Sequence, residues 1–341
     1  MKIFVATIHN PNYSMGPNVR LLSFIENSPK DFEFIVPKFS KKTSKLRTLK
    51  VLSNSLFKII KNRKTIDLIH VVTPPSYPGL VAVMAKKLFK IPYIVDVGDP
   101  SAENTALIKN LSEKSWKFKL LKKIDNTVYK NAKHLILTST ELKNFIPTNI
   151  PHTTILTPIK EIPEQKPIEV LKSKKCVFLG QYGPLQNIKQ IIEIFETAIK
   201  KDPEITLDII GKGDKITVQS PNINFFSPIP YSEIANTLSK YACGVVALDQ
   251  KNTLDYAIPT KLLTYLANGL VIFGTGGKAV QEMVETSQAG LINKDAGTLE
   301  NMLKNTEKME FFSKNALEYA KNNLNPKSAE KAYSQICLQS K

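Results

Sequence analysis

The sequence predicts an α/β protein with two consecutive domains, each built on a buried parallel sheet. Its 341 residues fit two domains better than one, and short β-branched runs alternate with amphipathic helical patterns along the whole chain. A stretch rich in Pro, Glu and Lys, Glu161–Glu169, lacks this periodicity and separates two halves. We therefore expect an N-terminal domain over residues 1–160, a linker over 161–174, a C-terminal domain over 175–325 and a last segment over 326–341.

The N-terminal half alternates strand-like and helical patterns. Uninterrupted apolar runs are typical of parallel strands covered on both faces. The predicted strands are Lys2–Ile8, Phe34–Val36, Leu68–Val72, Tyr93–Val97 and Leu135–Leu137. The predicted helices are Pro17–Glu26, Ser44–Lys61, Gly79–Phe89 and Glu103–Lys130. This order predicts a β/α sheet of ordinary domain size.

The same alternation restarts after the linker and predicts a second sheet. Its predicted strands are Val177–Leu179, Leu207–Ile210, Ile223–Phe225, Gly244–Leu248 and Val271–Gly274. Its predicted helices are Asn187–Lys200, Tyr231–Lys240, Thr260–Asn268, Ala279–Thr286, Leu299–Lys304 and Lys308–Asn322, with Lys327–Leu338 last. Ligands of open parallel sheets bind at the carboxyl ends of strands, so we expect the ligand site in a cleft between the two sheets.

The charge balance calls for an anionic partner. Lys and Arg number 47 against 30 for Asp and Glu, a net charge of +17. Such an excess suits nucleic acid, an anionic membrane surface or phosphorylated substrates; a generally lysine-rich composition is the alternative. The three cysteines, Cys176, Cys243 and Cys337, indicate free thiols in a reducing cytoplasm. No signal peptide or apolar run of membrane-spanning length is evident, so we expect a cytoplasmic protein or one peripheral on the inner membrane face.

Several common nucleotide motifs are missing from the sequence. The first strand is followed by His9–Arg20, which contains the single glycine Gly16 and no G-x-G-x-x-G, so a nicotinamide or flavin site is disfavoured. There is no Walker A motif. There is also no D-x-D motif, and no metal is expected.

Four glycine- or proline-containing segments follow strands of the second half in order. Cys176–Asn187 reads C-V-F-L-G-Q-Y-G-P-L-Q-N, and Leu207–Asp214 reads L-D-I-I-G-K-G-D. Phe225–Tyr231 reads F-F-S-P-I-P-Y, and Tyr256–Gly277 opens a helix with Pro259 and a lysine. Glycines let backbone amides approach a phosphate, and a helix N-terminus favours an anion. Together the four segments predict a site for a nucleotide diphosphate, although each one alone is ordinary turn chemistry.

The order and spacing of these segments resemble the donor domain of GT-B glycosyltransferases, in particular the large family-4-like retaining group. The runs G-Q-Y-G-P-L-Q-N-I and I-P-T-K-L-L-T-Y-L-A-N-G are similar to the branch that builds bacterial surface and O-antigen polysaccharides. The runs I-D-L-I-H-V-V and P-Y-I-V-D-V-G-D-P extend the resemblance to residues 1–325. It implies two Rossmann-like, doubly wound domains facing a central cleft, with the last helix crossing back to the first domain. It also implies metal-independent, retaining transfer of a hexosyl- or N-acetylhexosaminyl-type sugar from a nucleotide-diphosphate sugar to a glycan or lipid-linked acceptor.

The resemblance also implies donor-binding residues. They are Gly16, Gly180, Gln181, Tyr182, Gly183, Gly211, Gly213, Ile229, Tyr256, Pro259, Thr260, Leu262 and Thr264. The family usually carries E-x7-E in the last segment, and here Tyr256 and Thr264 stand at the two glutamate positions. Thr264 retains a hydroxyl for a ribose, and Tyr256 retains a ring that can stack or hydrogen-bond.

Candidate catalytic residues are Lys261 and Lys212, which would neutralise the leaving diphosphate, and Asp99, which would act as base or orient the acceptor. A turn-forming role for Asp99 in G-D-P is the alternative. Candidate acceptor-binding residues are His9, Asp96 and Glu103, with a structural role as the alternative for Asp96, while His70 is expected to be a core residue.

Two basic stretches suggest a further partner. Lys38–Lys64 has ten Lys/Arg and no acid, and Lys109–Lys123 interleaves aromatic residues with lysines. An anionic membrane surface is one interpretation, and a solvated helix face is the other. Two alternatives to a transferase stay open: a GT-B-like protein that binds a nucleotide or glycan without activity, and, ranked last, a protein acting on nucleic acid.

Overall fold

The computed structural model describes residues 1–8, 16–37, 45–183, 186–214, 216–249 and 254–341. Contacts divide the chain into two compact units. Unit 1 contains Met1–Pro158 together with Pro326–Lys341, and unit 2 contains Ile159–Asn325. Each unit is built on one six-stranded sheet, and every strand pair in both sheets is parallel.

The sheet of unit 1 has the order β2-β1-β3-β4-β5-β6. Its strands are β1 (Lys2–Ala6), β2 (Glu33–Ile35), β3 (Leu68–Thr73), β4 (Tyr93–Val97), β5 (His134–Leu137) and β6 (His152–Thr154). The central strands β3 and β4 are buried at every residue, as expected of strands covered by helices on both faces. The sequence predicted the first five strands, and β6 is an additional edge strand.

The helices of unit 1 form layers beside this sheet. They are α1 (Gly16–Asn27), α2 (Lys45–Asn62), α3 (Gly79–Phe89), α4 (Ser101–Lys109), α5 (Trp116–Lys130) and, from the C-terminus, α13 (Pro326–Ser340). α1 packs against α13, whereas α3 packs against α2 and α5, and α5 also packs against α4. The single helix predicted over 103–130 is two helices, because Asn110 takes a left-handed conformation that ends α4.

The sheet of unit 2 has the order β12-β11-β10-β7-β8-β9. Its strands are β7 (Lys175–Leu179), β8 (Thr206–Ile210), β9 (Ile223–Phe226), β10 (Cys243–Ala247), β11 (Val271–Thr275) and β12 (Gly290–Ile292). Its helices are α6 (Ile168–Leu171), α7 (Ile188–Lys201), α8 (Ile234–Leu238), α9 (Thr260–Ala267), α10 (Lys278–Ser287), α11 (Ala296–Lys304) and α12 (Thr306–Asn323). The edge strand β12 was not predicted.

The strand order of unit 2 fixes where a ligand is expected. The chain runs outward from β7 to β9 on one side and then from β10 to β12 on the other, which is the order of a dinucleotide-binding sheet. Such a sheet has its switch point between the first and fourth strands, here β7 and β10. Ligands bind at the carboxyl ends of the strands beside this point.

Candidate functional site

Three loops meet at the carboxyl edge of the unit 2 sheet. The Gly180 N–H donates to the Ile210 carbonyl at 2.8 Å, and the Tyr182 N–H donates to the Lys212 carbonyl at 3.0 Å. The Gly211 N–H donates in turn to the Phe226 carbonyl at 3.0 Å. The loops that follow β7 and β8 are therefore hydrogen-bonded to each other, and the second loop is also hydrogen-bonded to the last residue of β9, so that these strand ends form one backbone surface.

Glycine is required at two points where these loops touch. A Cβ on Gly211 would lie 1.9 Å from the Gly180 carbonyl oxygen, and a Cβ on Gly213 would lie 2.1 Å from the Tyr182 ring. Gly180 also has φ +108°, a conformation that side chains disfavour. The two glycine turns singled out in the sequence are thus in direct contact.

Helix α9 begins beside this surface. Pro259 is its extended N-cap residue, and the Leu262 N–H donates back to the Pro259 carbonyl at 2.9 Å. Tyr265 holds the helix on the sheet, because its phenol oxygen accepts the Leu179 N–H at 2.7 Å. Gly244 on β10 leaves room for that ring, since a Cβ there would lie 2.4 Å from it. The positive end of the α9 dipole lies at Thr260, where an anion is favoured.

Lys261 is the central side chain of this site. Its Nζ lies 3.5 Å from the centre of the Phe178 ring on β7 and 3.7 Å from where a Cβ on Gly180 would be. The ammonium nitrogen is buried and has no hydrogen-bond partner among the described residues. Burial lowers the Lys261 pKa to about 7, because a desolvated cation is unfavourable. A buried cation without a partner next to a helix N-terminus suits an anionic ligand.

Thr264 and Tyr256, which stand where the resemblance implies glutamates, differ in exposure. Thr264 is half-buried, and its hydroxyl donates to the Thr260 carbonyl at 3.0 Å. It can therefore offer a ligand only its oxygen lone pairs. Tyr256 is 1% exposed, so its ring has almost no free surface on which a donor could stack. This burial corrects the expectation that Tyr256 stacks on the donor.

The remaining predicted donor residues lie along the same edge. Gln181 and Lys212 are exposed in the loops after β7 and β8, and Ile229 is half-buried after β9. The Gly183 N–H donates to Gln186 Oε1 at 3.0 Å. The Tyr182 ring is buried, edge-on to the Phe178 ring at 6.3 Å and 6.2 Å from the Phe225 ring.

In unit 1, Asp99 follows β4 at the carboxyl edge of the sheet. Its Oδ2 accepts a hydrogen bond from Asn104 Nδ2 at 3.1 Å. Burial raises the Asp99 pKa to about 6, since the carboxylate loses hydration. A carboxyl group with this pKa is mostly ionised at neutral pH and can still accept a proton, as a general base must.

Asp96 does not have the acceptor-binding position expected of it. It is 2% exposed and accepts the Arg20 Nε–H through both carboxylate oxygens, at 2.9 and 3.0 Å. Arg20 Nη1 also donates to the Ile155 carbonyl at 2.7 Å. Asp96 is therefore corrected to one half of a buried ion pair that ties α1 to β4. No sequence motif identifies Arg20 as the partner of Asp96, because the two residues are 76 positions apart along the chain.

Four further residues of unit 1 are singled out by the sequence: Glu103, His9, Gly16 and His70. Glu103, in the first turn of α4, forms an ion pair with Lys122, and its second carboxylate oxygen is buried with no hydrogen-bond partner in the described part of the chain. His9 lies outside the described residues, and Gly16 is the first residue of α1. His70 is fully buried and bonded to the Tyr333 hydroxyl of α13 at 2.9 Å. Burial lowers its pKa to about 4, which agrees with a core role.

No cluster of three or more His, Cys, Asp or Glu side chains suited to a metal ion occurs within the described ranges. Within those ranges there is also no helix with the length and apolar character needed to cross a bilayer.

Two doubly wound parallel sheets, the second with this glycine-rich edge, define the GT-B class of fold, and the prediction of that fold is confirmed. Residues 173–307 match the family model described as "Glycosyl transferases group 1". This segment contains the Gly180, Gly211 and Lys261 site. No curated protein matches the sequence.

Solved structures similar to this chain cover nearly its whole length. Sucrose-phosphate synthase from Thermosynechococcus elongatus has a TM-score of 0.75 at 14% identity, covering 99% of this chain and 98% of that one. HepE from Anabaena, solved with UDP and glucose, has a TM-score of 0.70 at 13% identity, covering 100% and 99%. WaaG, a glycosyltransferase involved in lipopolysaccharide biosynthesis, has a TM-score of 0.65 at 12% identity, covering 98% and 99%. At these identities the likeness concerns the fold.

Proposed function

We propose that the protein transfers a hexosyl- or N-acetylhexosaminyl-type sugar from a nucleotide-diphosphate sugar to a glycan or lipid-linked acceptor, without a metal and with retention of configuration. The observation that carries the proposal is the buried Lys261 ammonium, which has no partner among the described residues and lies beside Gly180 and the start of α9. An anionic diphosphate is the ligand that this arrangement suits. The match of residues 173–307 to group 1 glycosyl transferases supports the same conclusion.

In the proposed reaction Lys261, Lys212 and Asp99 have separate roles. Breaking the bond between the sugar's anomeric carbon and the diphosphate leaves negative charge on the diphosphate oxygens. Lys261 and the first-turn amides of α9 would stabilise that charge as it develops, with Lys212 reaching in from its exposed loop. Asp99 would orient the acceptor hydroxyl or take its proton, in keeping with its raised pKa.

A panel of UDP-, GDP- and ADP-sugars in a thermal-shift screen tests the proposal. Ligands that bind only the folded state raise the melting temperature by mass action. We expect one nucleotide class to stabilise unit 2 and the same sugar to be hydrolysed or transferred by the purified protein. The absence of any nucleotide-dependent shift over the whole panel would count decisively against a glycosyltransferase.

Donor affinity is expected to fall as the pH rises above about 7. In the free protein the Lys261 pKa is lowered to about 7, and a bound diphosphate would raise it, because an adjacent anion favours the charged amine. Above pH 7 binding therefore takes up a proton, and affinity drops by about tenfold per pH unit until the pKa of the bound state is reached. Calorimetric titration at pH 6.5, 7.5 and 8.5, in buffers of different ionisation enthalpy, measures both effects. A pH-independent affinity would contradict the role of Lys261.

An inactive GT-B-like binding protein is the second candidate. Thr264 and Tyr256 replace both glutamates that the family usually carries, and the Tyr256 ring is buried. This candidate predicts the same nucleotide-dependent thermal shift but no hydrolysis and no transfer. Turnover of the stabilising nucleotide sugar therefore distinguishes the two.

A further inference from the structure

Helices α2, α3, α4 and α5 of unit 1 present an unusual outer surface. Thirteen large apolar side chains are exposed in the described parts of the chain, and eight of them lie on these four helices. The eight are Leu49, Phe57, Ile60, Met84, Leu88, Ile108, Trp116 and Leu120. We call the outer surface of the four helices the basic face, for the charges that accompany these residues.

The charges on the basic face are almost all positive. Between residues 49 and 130, twelve Lys and Arg residues are exposed, and Glu113 is the single exposed acid. The exposed cations are Lys50, Lys61, Arg63, Lys64, Lys87, Lys90, Lys109, Lys114, Lys117, Lys119, Lys123 and Lys130. Twelve exposed cations against one exposed acid give this layer of helices a local positive potential.

Helix packing joins the two basic stretches of the sequence into this one surface. The part of Lys38–Lys64 that lies on α2 and the stretch Lys109–Lys123 are separated by about a quarter of unit 1 in the chain, yet α3 packs against both α2 and α5. α3 itself contributes Leu88, which is 64% exposed, next to Lys87. The sequence pattern did not single out α3, because its strong overall apolarity resembles that of a core helix.

The apolar side chains follow helical spacing on the exposed side. Trp116 and Leu120 are one turn apart on α5, and Met84 and Leu88 are one turn apart on α3. Trp116 is 70% exposed, with the Lys117 Nζ 5.9 Å from its ring centre. Alternation of aromatic and aliphatic side chains with lysines is typical of surfaces that lie in the headgroup region of a bilayer.

We propose that the basic face docks unit 1 onto an anionic lipid bilayer, with Trp116 and its apolar neighbours entering the interface and the lysines contacting lipid phosphates. This proposal rests on the proposed function, because a lipid-linked acceptor would be located in the membrane. The lysines of the basic face complement the charge of lipid anions. The apolar side chains dispersed among them distinguish this face from a surface that binds only phosphate. The test of the proposal requires no donor or acceptor, so it can fail while the transferase proposal stands.

Trp116 is the chain's single tryptophan, so the unmodified protein carries its own probe. Vesicles of phosphatidylglycerol and phosphatidylcholine, titrated into the full-length protein at low salt, should shift the Trp116 emission to shorter wavelength. Vesicles whose lipids carry brominated acyl chains should quench it, and vesicles of phosphatidylcholine alone should do neither. Absence of both signals with anionic vesicles would overturn the proposal, as would equal binding to the zwitterionic vesicles.

Matched charge variants separate local recognition from net charge. The triple variant Lys117→Gln, Lys119→Gln, Lys123→Gln should have an affinity for anionic vesicles, measured by sedimentation, that is about 100-fold lower than that of the parent protein. The triple variant Lys200→Gln, Lys240→Gln, Lys314→Gln removes the same charge from exposed sites of unit 2 and should bind like the parent protein. Equal losses in both triples would refute a specific face. If single-stranded DNA quenches Trp116 and abolishes the emission shift that vesicles cause, the basic face is a nucleic-acid-binding surface and not a membrane-binding one.

Discussion

A Lys261→Met variant is expected to bind the donor more weakly than the parent protein and, without ligand, to have a higher free energy of unfolding. The Lys261 ammonium is buried over the Phe178 ring without a hydrogen-bond partner among the described residues. An unsatisfied buried polar group costs about 1–3 kcal/mol, so replacing it with a side chain of similar length and no charge should stabilise the unliganded protein by a similar amount. Chemical denaturation of the free protein measures this gain.

The same substitution removes the cation that we assign to the diphosphate. Loss of a charge-assisted contact should weaken nucleotide-sugar binding about 10- to 100-fold, and kcat should fall about 100- to 1,000-fold if Lys261 stabilises the leaving group. Calorimetry and turnover assays measure the two losses. A stability gain with unchanged donor affinity would show that Lys261 is an interior lysine without a ligand role.

Lys308→Met is the matched control for this experiment. Lys308 also lies near a helix start with its Nζ over a phenylalanine ring, 5.6 Å from the centre of Phe312, but it is exposed. Its replacement should change neither donor affinity nor, by more than about 0.5 kcal/mol, stability. The comparison isolates burial beside Gly180 as the property that matters.

The sequence predicted the parts of the site that depend on local chemistry. Glycine after an apolar run and proline before an apolar helix are signals carried by a few adjacent residues, and they located the turns at Gly180 and Gly211 and the start of α9. The contact between those turns, with a Cβ on Gly211 only 1.9 Å from the Gly180 carbonyl oxygen, explains why both are glycine. That contact depends on the register of β7 beside β8.

Properties that depend on tertiary burial cannot be predicted from the sequence alone. The motif indicates Lys261, but the burial of its ammonium, its lack of a hydrogen-bond partner among the described residues and its lowered pKa follow from the packing of α9 against Phe178 and the sheet. The sequence alone leaves Asp96 either an acceptor contact or a structural residue. Its partner Arg20 is contributed by a distant helix, so only the folded chain reveals the ion pair.

Asp96→Ala is expected to be among the most destabilising single substitutions in unit 1. It would leave the Arg20 guanidinium buried with the Ile155 carbonyl but without its carboxylate. Removing one partner of a buried ion pair typically costs about 3–5 kcal/mol, because the remaining charge has lost both its hydration and its counter-ion. Urea unfolding of the parent and the variant measures the difference.

Two comparisons show whether this loss comes from the buried charge. The pair between half-buried Lys2 and exposed Glu33, at 3.1 Å, is the control, and Glu33→Ala should cost less than about 1 kcal/mol. The double variant Arg20→Met, Asp96→Leu should recover most of the stability lost in Asp96→Ala, because an apolar pair of similar volume leaves no uncompensated charge. If Asp96→Ala instead folded normally and specifically raised KM for the acceptor, Asp96 would regain the binding role that its burial beside Arg20 argues against.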